Sequence, residues 1–390
     1  MKKKLIRTAT VSLSLDVLLK GQLHFLNDCY QVIAVSGADE LLQKVKEREQ
    51  IQVVPIEMQR SISPIKDVIS LWKLYQCFKK EKPIIVHSIT PKAGLLSMVA
   101  AYFAKVPIRI HTFTGLIFPS KKGWMQLVLI AMDRLLCKCA THIYPEGLGV
   151  KNDLIHYRIT QKPLKVLANG NVNGIDTSYF NPQLCSSNQN EDLKKELGIH
   201  KDDFVFIFVG RLVGDKGINE LIGAFKKLTA NGQQPQAKLL LVGPFETELD
   251  PLSQKTLYEI SDNSKIITVG YQDDVRPYFA IADVLVFPSY REGFPNVVLQ
   301  AGAMELPSIV TDINGCNEII HEGENGWIVP PKDAEAVYKA MVYCCENLEI
   351  VTAIKKDTRV MVTSRFEQQQ VWNALLEEYQ RLESRLHTNP

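Results

Sequence analysis

The chain has 390 residues, enough for two α/β domains of ordinary size, each with its own hydrophobic core. Hydrophobic residues make up 46% of it and charged residues 23%, a balance typical of a globular protein and unlike that of a disordered one. The formal net charge of +2 gives no reason to expect a nucleic-acid partner, so any basic feature must be local.

Cysteine spacing and hydropathy indicate in which cellular compartment the protein works. The eight cysteines include no Cys-x-x-Cys pair, and they fit free buried thiols in a reducing, cytoplasmic compartment. The basic start is similar to the n-region of a signal peptide, but Arg7 and Asp16 interrupt the apolar stretch behind it. The best candidate for a membrane span, residues 124–140, contains Asp133, Arg134 and Lys138. We therefore expect that the protein can touch a membrane but does not cross one.

Short β-branched runs alternate with longer helical patterns along the chain, as they do where helices cover both faces of a parallel sheet. In the first half, the predicted strands are Leu5–Thr10, Gln31–Ser36, Ile51–Ile56, Ile84–His87, Arg109–Thr112 and His142–Tyr144. In the second half, they are Phe204–Val209, Lys238–Val242, Lys265–Val269, Val284–Phe287, Ser308–Thr311 and Gly326–Val329. The sequence thus predicts an α/β protein with two Rossmann-like domains that face each other across a cleft.

An irregular stretch rich in Gly, Pro, Ser and Asn separates the two halves. We place the N-terminal domain at residues 1–172, the linker at 173–195 and the C-terminal domain at 196–365. Residues 366–390 carry apolar side chains three and four apart, which predicts a final helix with a face to bury. Periodicity does not decide which domain that helix covers, and packing back on the N-terminal domain is one option.

The segment GRLVGDKG, residues 210–217, lies between a predicted strand and a predicted helix. A glycine-flanked loop at a helix N-terminus offers backbone N–H groups and the positive end of the helix dipole, which suit a phosphate. Arg211 and Lys216 add two cations, which favour a departing diphosphate as negative charge develops on it. In isolation, the two side chains are equally well explained as solvated loop charges.

A second segment, Glu292-Gly293-Phe294-Pro295-Asn296, follows another predicted strand and opens a helix. Gly293 permits close backbone approach, the first-turn N–H groups suit an anion, and Glu292 offers a carboxylate to sugar hydroxyls. Taken alone, Glu292 is better explained as a favourable charge at a helix N-terminus. We expect the loop at 210–217 and the helix start at 292–297 to converge on one pyrophosphate pocket.

Together, these segments resemble the family 4 glycosyltransferases, whose architecture is called GT-B. The resemblance extends over nearly the whole chain and is most specific over SYREGFPNVVLQAGAMELPSIVTDINGCNEII, residues 289–320. Residues 168–182 are similar to the family's interdomain linker, and residues 87–96 and 109–118 resemble segments of members that act on lipid-linked glycans.

The resemblance implies a retaining glycosyltransferase without metal or cofactor. Its donor would be a nucleotide diphosphate sugar, with UDP as first choice, and its acceptor a lipid-linked glycan in bacterial polysaccharide or capsule synthesis. Whether the sugar is a hexose or an N-acetylhexosamine stays open.

Residue roles follow from the resemblance by position. Arg211 and Lys216 would bind the donor diphosphate, and Glu292 would hold donor-sugar hydroxyls. His111 would line the reaction centre, and Gly21 would face the diphosphate from the N-terminal domain. Other donor contacts implied by position are Gly210, Gly293, Phe294, Asn296 and Val297.

One position departs from the family. The glutamate expected eight residues after Glu292 is Gln300 here, which keeps an acceptor oxygen but loses the charge. Because charge-assisted hydrogen bonds are stronger than neutral ones, we expect a weaker or altered contact with the nucleotide ribose.

The stretch from Phe113 to Trp124 mixes apolar and basic residues. Four of its side chains suit contact with anionic headgroups or with the lipid diphosphate of an acceptor: Phe118, Lys121, Lys122 and Trp124. We therefore expect peripheral contact with the inner face of the membrane. Ordinary packing within the N-terminal domain is the alternative.

Three functions other than glycosyl transfer are alternatives. Because of Gln300, a catalytically silent subunit that binds a nucleotide-sugar or glycan in a glycosyltransferase complex stays open. An epimerase of the same architecture also stays open, although it lacks a clear acid/base set. A nucleotide-dependent oxidoreductase is disfavoured, because no Gly-x-Gly-x-x-Gly follows the first strand.

Overall fold

A computed structural model describes residues 2–59, 63–230, 234, 236–246, 248 and 250–388. The chain forms two compact units. Unit 1 comprises Met1–Gly174 and Gln368–Pro390, and unit 2 comprises Ile175–Glu367.

Unit 1 is built on a six-stranded parallel sheet with the strand order β3-β2-β1-β4-β5-β6. Its strands are β1 Lys4–Thr8, β2 Gln31–Ser36, β3 Gln52–Pro55, β4 Ile85–Ile89, β5 Ile108–Phe113 and β6 His142–Pro145. All except the edge strand β3 are mostly buried, as expected for a parallel sheet covered on both faces.

The helices of unit 1 connect these strands. They are α1 Ser12–Leu18, α2 Gln22–Asn27, α3 Glu40–Glu49, α4 Pro64–Glu81, α5 Pro91–Phe103, α6 Gly123–Cys139 and α7 Leu148–His156. The chain runs from β1 outward to β3 and then back across to β6. Because parallel crossovers are right-handed, α1 to α3 cover one face of the sheet and α4 to α6 cover the other. Two separate apolar clusters, one on each face, agree with this arrangement.

Unit 2 repeats the plan with a parallel sheet in the order β12-β11-β10-β7-β8-β9. Its strands are β7 Phe204–Val209, β8 Ala237–Val242, β9 Ile266–Gly270, β10 Val284–Phe287, β11 Ser308–Thr311 and β12 Gly326–Val329. Its helices are α8 Ser187–Glu196, α9 Ile218–Thr229, α10 Gln254–Asp262, α11 Arg276–Ala280, α12 Asn296–Ala303, α13 Cys316–Ile319, α14 Ala334–Glu346 and α15 Leu348–Phe366. One large apolar cluster forms its core.

The last helix, α16 Gln368–Thr388, belongs to unit 1. Its buried Tyr379 hydroxyl lies 2.8 Å from Arg7 Nη1 on β1 and 2.5 Å from His87 Nδ1 on β4. Glu378 accepts a hydrogen bond of 2.5 Å from the Tyr144 hydroxyl on β6. These contacts fix α16 against the same sheet face as α1 to α3, whose cluster also includes Leu375 and Leu382.

All twelve predicted strands are confirmed, each within two residues of its predicted ends. The predicted linker at 173–195 differs in detail, because it contains α8 and because unit 2 already begins at Ile175. The final helix begins at Gln368, two residues after its predicted start. None of the helices in the described part of the chain is both long and apolar enough to span a bilayer.

Candidate active site

The loop that follows β7 is shaped by glycines. Gly214–Lys216 form a short 3-10 turn, and Gly217 caps α9 with a φ of 71°, in the left-handed region. A Cβ atom on Gly217 would lie 2.1 Å from the carbonyl oxygen of Pro288. Glycine is therefore required here both for its backbone conformation and for close approach to the segment that follows β10.

Two predicted site residues meet at this point. The ammonium of Lys216 forms an ion pair with Glu292 Oε1, although the two residues are far apart in sequence. Ser289 Oγ donates a hydrogen bond of 2.9 Å to the same carboxylate oxygen. Because β7 and β10 are neighbours in the sheet, the loops at their carboxyl ends are adjacent. The predicted convergence of the two segments is found in unit 2.

Several side chains that the sequence did not single out support this junction. The Tyr290 N–H donates to the Asp215 carbonyl oxygen at 2.9 Å, and Arg291 Nη2 lies 3.1 Å from Asp215 Oδ2. The Asp215 N–H donates to Asp250 Oδ2 at 2.5 Å. From β11, the Thr311 hydroxyl donates to the Ser289 carbonyl oxygen. These contacts could not be predicted from the sequence, because the partners are far apart in it. The strand order of the sheet brings them together.

Arg211 occupies a different environment from Lys216. Its side chain is 50% exposed, and its guanidinium is paired with Glu246 in the loop that follows β8. This predicted diphosphate ligand is thus engaged by a carboxylate that an incoming anion would have to displace.

The start of α12 presents backbone more than side chains. The Phe294 ring lies in the core, 5.4 Å from the ring of Phe366, so only the backbone of this predicted donor contact can face a ligand. Asn296 and Gln300 are partly exposed and lie four residues apart on the helix, so they share a face. A Cβ atom on Gly315 would lie 2.6 Å from the Gly293 carbonyl oxygen, which shows how tightly this segment is packed.

In unit 1, Gly21 has a structural explanation. It caps α2 with a φ of 79°, and a Cβ atom there would lie 2.7 Å from the Trp372 indole of α16. Its N–H donates to Glu49 Oε1 at 2.9 Å. The indole N–H of Trp372 in turn donates to Asn173 Oδ1 at 2.8 Å. The packing of α16 thus accounts for this glycine, and its role toward a donor stays a prediction.

His111 lies in the interior of unit 1 with 1% of its surface exposed. Its Nδ1 lies 2.8 Å from Ser88 Oγ, and the ring packs so closely on α5 that a Cβ atom on Gly94 would lie 2.4 Å from it. Burial disfavours the charged imidazole and lowers the pKa of His111 to about 3. His111 is therefore a neutral core residue, and this position does not support direct contact with a sugar.

The predicted membrane residues are divided between the core and the surface. Phe118 is fully buried with its ring 4.9 Å from that of Tyr157, so the prediction that it contacts headgroups is wrong. Lys121 and Lys122 are exposed, and Trp124 is 71% exposed. The sequence does not indicate this burial, because the apolar neighbours of Phe118 do not reveal which side chains the 3-10 turn directs inward.

Within the described ranges of the chain, no three His, Cys, Asp or Glu residues are placed to hold a metal ion. The acidic pair Asp273-Asp274 is no exception, because Asp274 forms an ion pair of 2.7 Å with Arg276.

Two family models match the sequence in succession. Residues 12–145 match the model described as glycosyl transferase 4-like, and residues 189–383 match glycosyl transferases group 1. The chain is 33% identical over 374 residues to the capsular polysaccharide biosynthesis glycosyltransferase CapM of Staphylococcus aureus, covering 96% of each protein. It is 30% identical to the UDP-Gal:alpha-D-GlcNAc-diphosphoundecaprenol alpha-1,3-galactosyltransferase of Escherichia coli, over 79% of this chain and 78% of that one.

Solved structures agree on the fold. HepE of Anabaena in complex with UDP superposes with a TM-score of 0.81 over 98% of this chain and all of that one, at 18% identity. The two parallel sheets with alternating helices are thus those of the GT-B architecture. The group 1 family model matches half of the sequence, and the S. aureus relative matches along nearly its full length. The chain therefore belongs to the group 1 glycosyltransferases, with a glycosyl transferase 4-like N-terminal region.

Proposed function

We propose that the chain is a retaining, metal-independent glycosyltransferase that moves a hexose or N-acetylhexosamine from a UDP-linked donor to a lipid-linked glycan. The E. coli relative is named for a UDP-galactose donor and a diphosphoundecaprenol-linked acceptor, and the S. aureus relative for capsule synthesis. A role in the synthesis of a bacterial surface polysaccharide is in keeping with both names.

The observation that carries this proposal is the contact between Lys216 and Glu292 in unit 2. A glycosyl donor needs a cation for its diphosphate and an acceptor oxygen for its sugar hydroxyls, a few ångströms apart. The ion pair supplies both, between the N-termini of α9 and α12. Helix N-termini add positive potential and N–H donors for an anion.

In the proposed reaction, the glycosidic bond breaks and negative charge develops on the departing diphosphate. Lys216 stabilises that charge, assisted by Arg211 once the diphosphate has displaced Glu246. Glu292, oriented by the Ser289 hydroxyl, accepts hydrogen bonds from the sugar. The acceptor hydroxyl oxygen bonds to the anomeric carbon on the face that the diphosphate leaves, and a diphosphate oxygen takes the hydroxyl proton. Configuration is therefore retained without a protein nucleophile.

A panel of nucleotide sugars tests the proposal, with purified chain, a prenyl-diphosphate-linked N-acetylglucosamine acceptor and release of nucleoside diphosphate as readout. We expect turnover with one UDP-sugar and a fall in kcat of at least about a hundredfold in Lys216→Ala, because a charge stabiliser of the transition state is lost. Lys227→Ala is the matched control, since Lys227 is an exposed lysine of α9 paired with Glu335. It should leave kcat unchanged.

Gln300 keeps the catalytically silent subunit as a second candidate, because it replaces the charged ribose ligand implied by the family resemblance. The same experiment separates the two functions. Tight binding of UDP without release of nucleoside diphosphate from any donor would favour the silent subunit over the transferase.

We also propose peripheral contact with the inner face of the membrane through Lys121, Lys122 and Trp124. The exposure of all three side chains supports it. Replacing the three with serine should lower binding to vesicles that contain anionic lipid, and unchanged binding would remove this part of the proposal.

A further inference from the structure

Helix α4 has two apolar faces. One packs into unit 1 through Leu74 and Phe78, which are fully buried. The other points outward and carries Ile65, Val68, Ile69 and Trp72, which are 79%, 65%, 50% and 58% exposed. The spacing of three, four and seven residues puts these four side chains on one stripe, opposite the buried face. We call them the α4 stripe.

Helix α6 repeats this pattern. Its buried face includes Leu136 and Cys137, and its outward face carries an α6 stripe of Trp124, Leu127, Val128 and Leu135, which are 71%, 67%, 37% and 48% exposed. Single exposed apolar residues are common on protein surfaces, but contiguous patches mark interaction sites. Two stripes, each beginning with apolar side chains three and four residues apart, therefore need an explanation.

The two stripes lie on one side of unit 1. Both helices flank α5, on the sheet face opposite α16. The α4 and α5 N-termini are joined by an ion pair of 2.6 Å between Asp67 and Lys92. Since α4 and α6 each start at the carboxyl edge of the sheet, the N-terminal halves of both stripes lie toward that edge.

The charge around the stripes is strongly positive. Residues 63–82 and 119–140 contain nine Lys and Arg residues against three acidic residues, in a chain whose net charge is only +2. Two of the three acidic side chains are paired, Asp67 with Lys92 and Glu81 with Lys4. The third, Asp133, is partly buried, and burial raises its pKa to about 7. The exposed charges beside the stripes are thus basic, including Lys66, Lys73, Lys121, Lys122 and Arg134.

We infer that the α4 and α6 stripes form one docking surface for an anionic lipid bilayer. Apolar side chains flanked by lysines are the arrangement by which a helix lies in a charged membrane interface, with its apolar face among the acyl chains and its cations at the headgroups. A second copy of the chain would have to match this positive charge with its own. The inference deepens the proposed lipid-linked function by adding α4, which the sequence did not indicate, as a second membrane element.

Vesicle sedimentation of the full chain tests the inference, with phosphatidylcholine vesicles with and without phosphatidylglycerol. The α4 variant carries Ile65→Ser, Ile69→Ser and Trp72→Ser, and the α6 variant carries Trp124→Ser, Leu127→Ser and Val128→Ser. The matched control carries Tyr258→Ser, Leu348→Ser and Val360→Ser, three residues of unit 2 with 53% to 65% exposure. Because all substituted residues are exposed, folding should be kept, and thermal unfolding checks this.

We expect wild type to bind only the anionic vesicles, and less well at high salt, because the lysine contribution is screened. The α4 and α6 variants should each lose about tenfold or more in partition coefficient, and the control should lose nothing. An α4 variant that binds like wild type would overturn the inference, as would a wild type that binds neither vesicle. If the α4 substitutions instead dissolve a dimer of the free chain, the stripe is a protein interface. No sugar donor is present, so the result is independent of whether the chain proves to be a transferase.

Discussion

The two cations that the family resemblance assigns to the donor diphosphate are held differently. Lys216 is mostly buried, and its partner Glu292 is itself proposed to bind the sugar. Arg211 is half exposed and paired with Glu246, for which the proposed reaction has no other use. Donor binding must therefore break one ion pair that does not contribute to the bound state.

Replacing Glu246 should consequently improve donor binding. The substitution Glu246→Gln releases Arg211 and removes a negative charge near the diphosphate. UDP should therefore bind about two- to fivefold more tightly, because an exposed ion pair contributes a free energy of that size. Isothermal titration with UDP measures this change. Glu335→Gln removes an exposed glutamate elsewhere in unit 2 and should have no effect. Weaker binding in Glu246→Gln would mean that the carboxylate helps to hold the nucleotide.

Gly217 gives a second prediction at this scale. Gly217→Ala places a methyl group against the Pro288 carbonyl and forces alanine into the left-handed region, so unit 2 should lose about 1–3 kcal/mol of stability and bind UDP less well. Gly223→Ala, on the exposed face of α9 with nothing within 4 Å, should be neutral or stabilise by about 0.5–1 kcal/mol. Thermal unfolding of both variants gives the comparison. Equal effects would show that the loop can move away from Pro288.

Some residue-scale features were predictable from sequence and others were not. The loop at 210–217 and the start of α12 were recognisable, because both place glycine and charge between a buried strand and a helix and because together they match the family pattern. The burial of His111 was not, since it depends on Gly94, which lies on another element. The Ser289 contact with Glu292 is local in sequence, but nothing in the residue types indicated it.

At the scale of elements, the strands were predictable because short runs rich in β-branched residues alternate with longer helical patterns. Helix α8 was missed because its ten residues include none that is buried, so no apolar period was present. The available signal was its capping box, formed by Ser186 and Gln189. The placement of α16 on unit 1 depends on Tyr379 and Glu378 meeting β1, β4 and β6, contacts that span more than two hundred residues of sequence.

The docking of α16 should depend on pH through Glu378. Burial alone would raise the pKa of this carboxyl, but hydrogen bonds from Arg381, Lys165 and Tyr144 outweigh burial and lower the pKa to about 2. A depressed pKa stabilises the fold above the unfolded value, about 4.5, and this contribution is lost as pH falls from there toward 2.

Glu378→Gln should therefore be less stable than wild type at neutral pH, and the difference should shrink steadily between pH 4.5 and pH 2. Denaturant unfolding across this range measures it, with near-ultraviolet circular dichroism as the signal. Glu377→Gln, at the exposed neighbouring position, should follow wild type throughout. A stability difference that stays constant with pH would assign the effect of Glu378 to packing and not to its charge.

For the whole molecule, the division into two units separates the proposed roles. The residues proposed to bind the donor, Lys216, Arg211 and Glu292, all lie in unit 2. The two stripes proposed to meet a bilayer lie in unit 1, which the chain completes only by returning with α16. Unit 2, in contrast, is one continuous stretch with its own sheet and core.

Residues 175–367 alone should consequently fold and bind UDP with a Kd within about tenfold of that of the full chain, because a continuous unit with a closed core can fold independently. They should not transfer sugar, since the acceptor side is absent. Circular dichroism measures folding, and isothermal titration measures UDP binding. The control is the same fragment with Lys216→Ala. It should bind UDP at least about tenfold more weakly, because a charge-assisted contact to phosphate is lost. A folded fragment without affinity for UDP would show that unit 1 supplies part of the nucleotide site, and the assignment of donor binding to unit 2 would then be wrong.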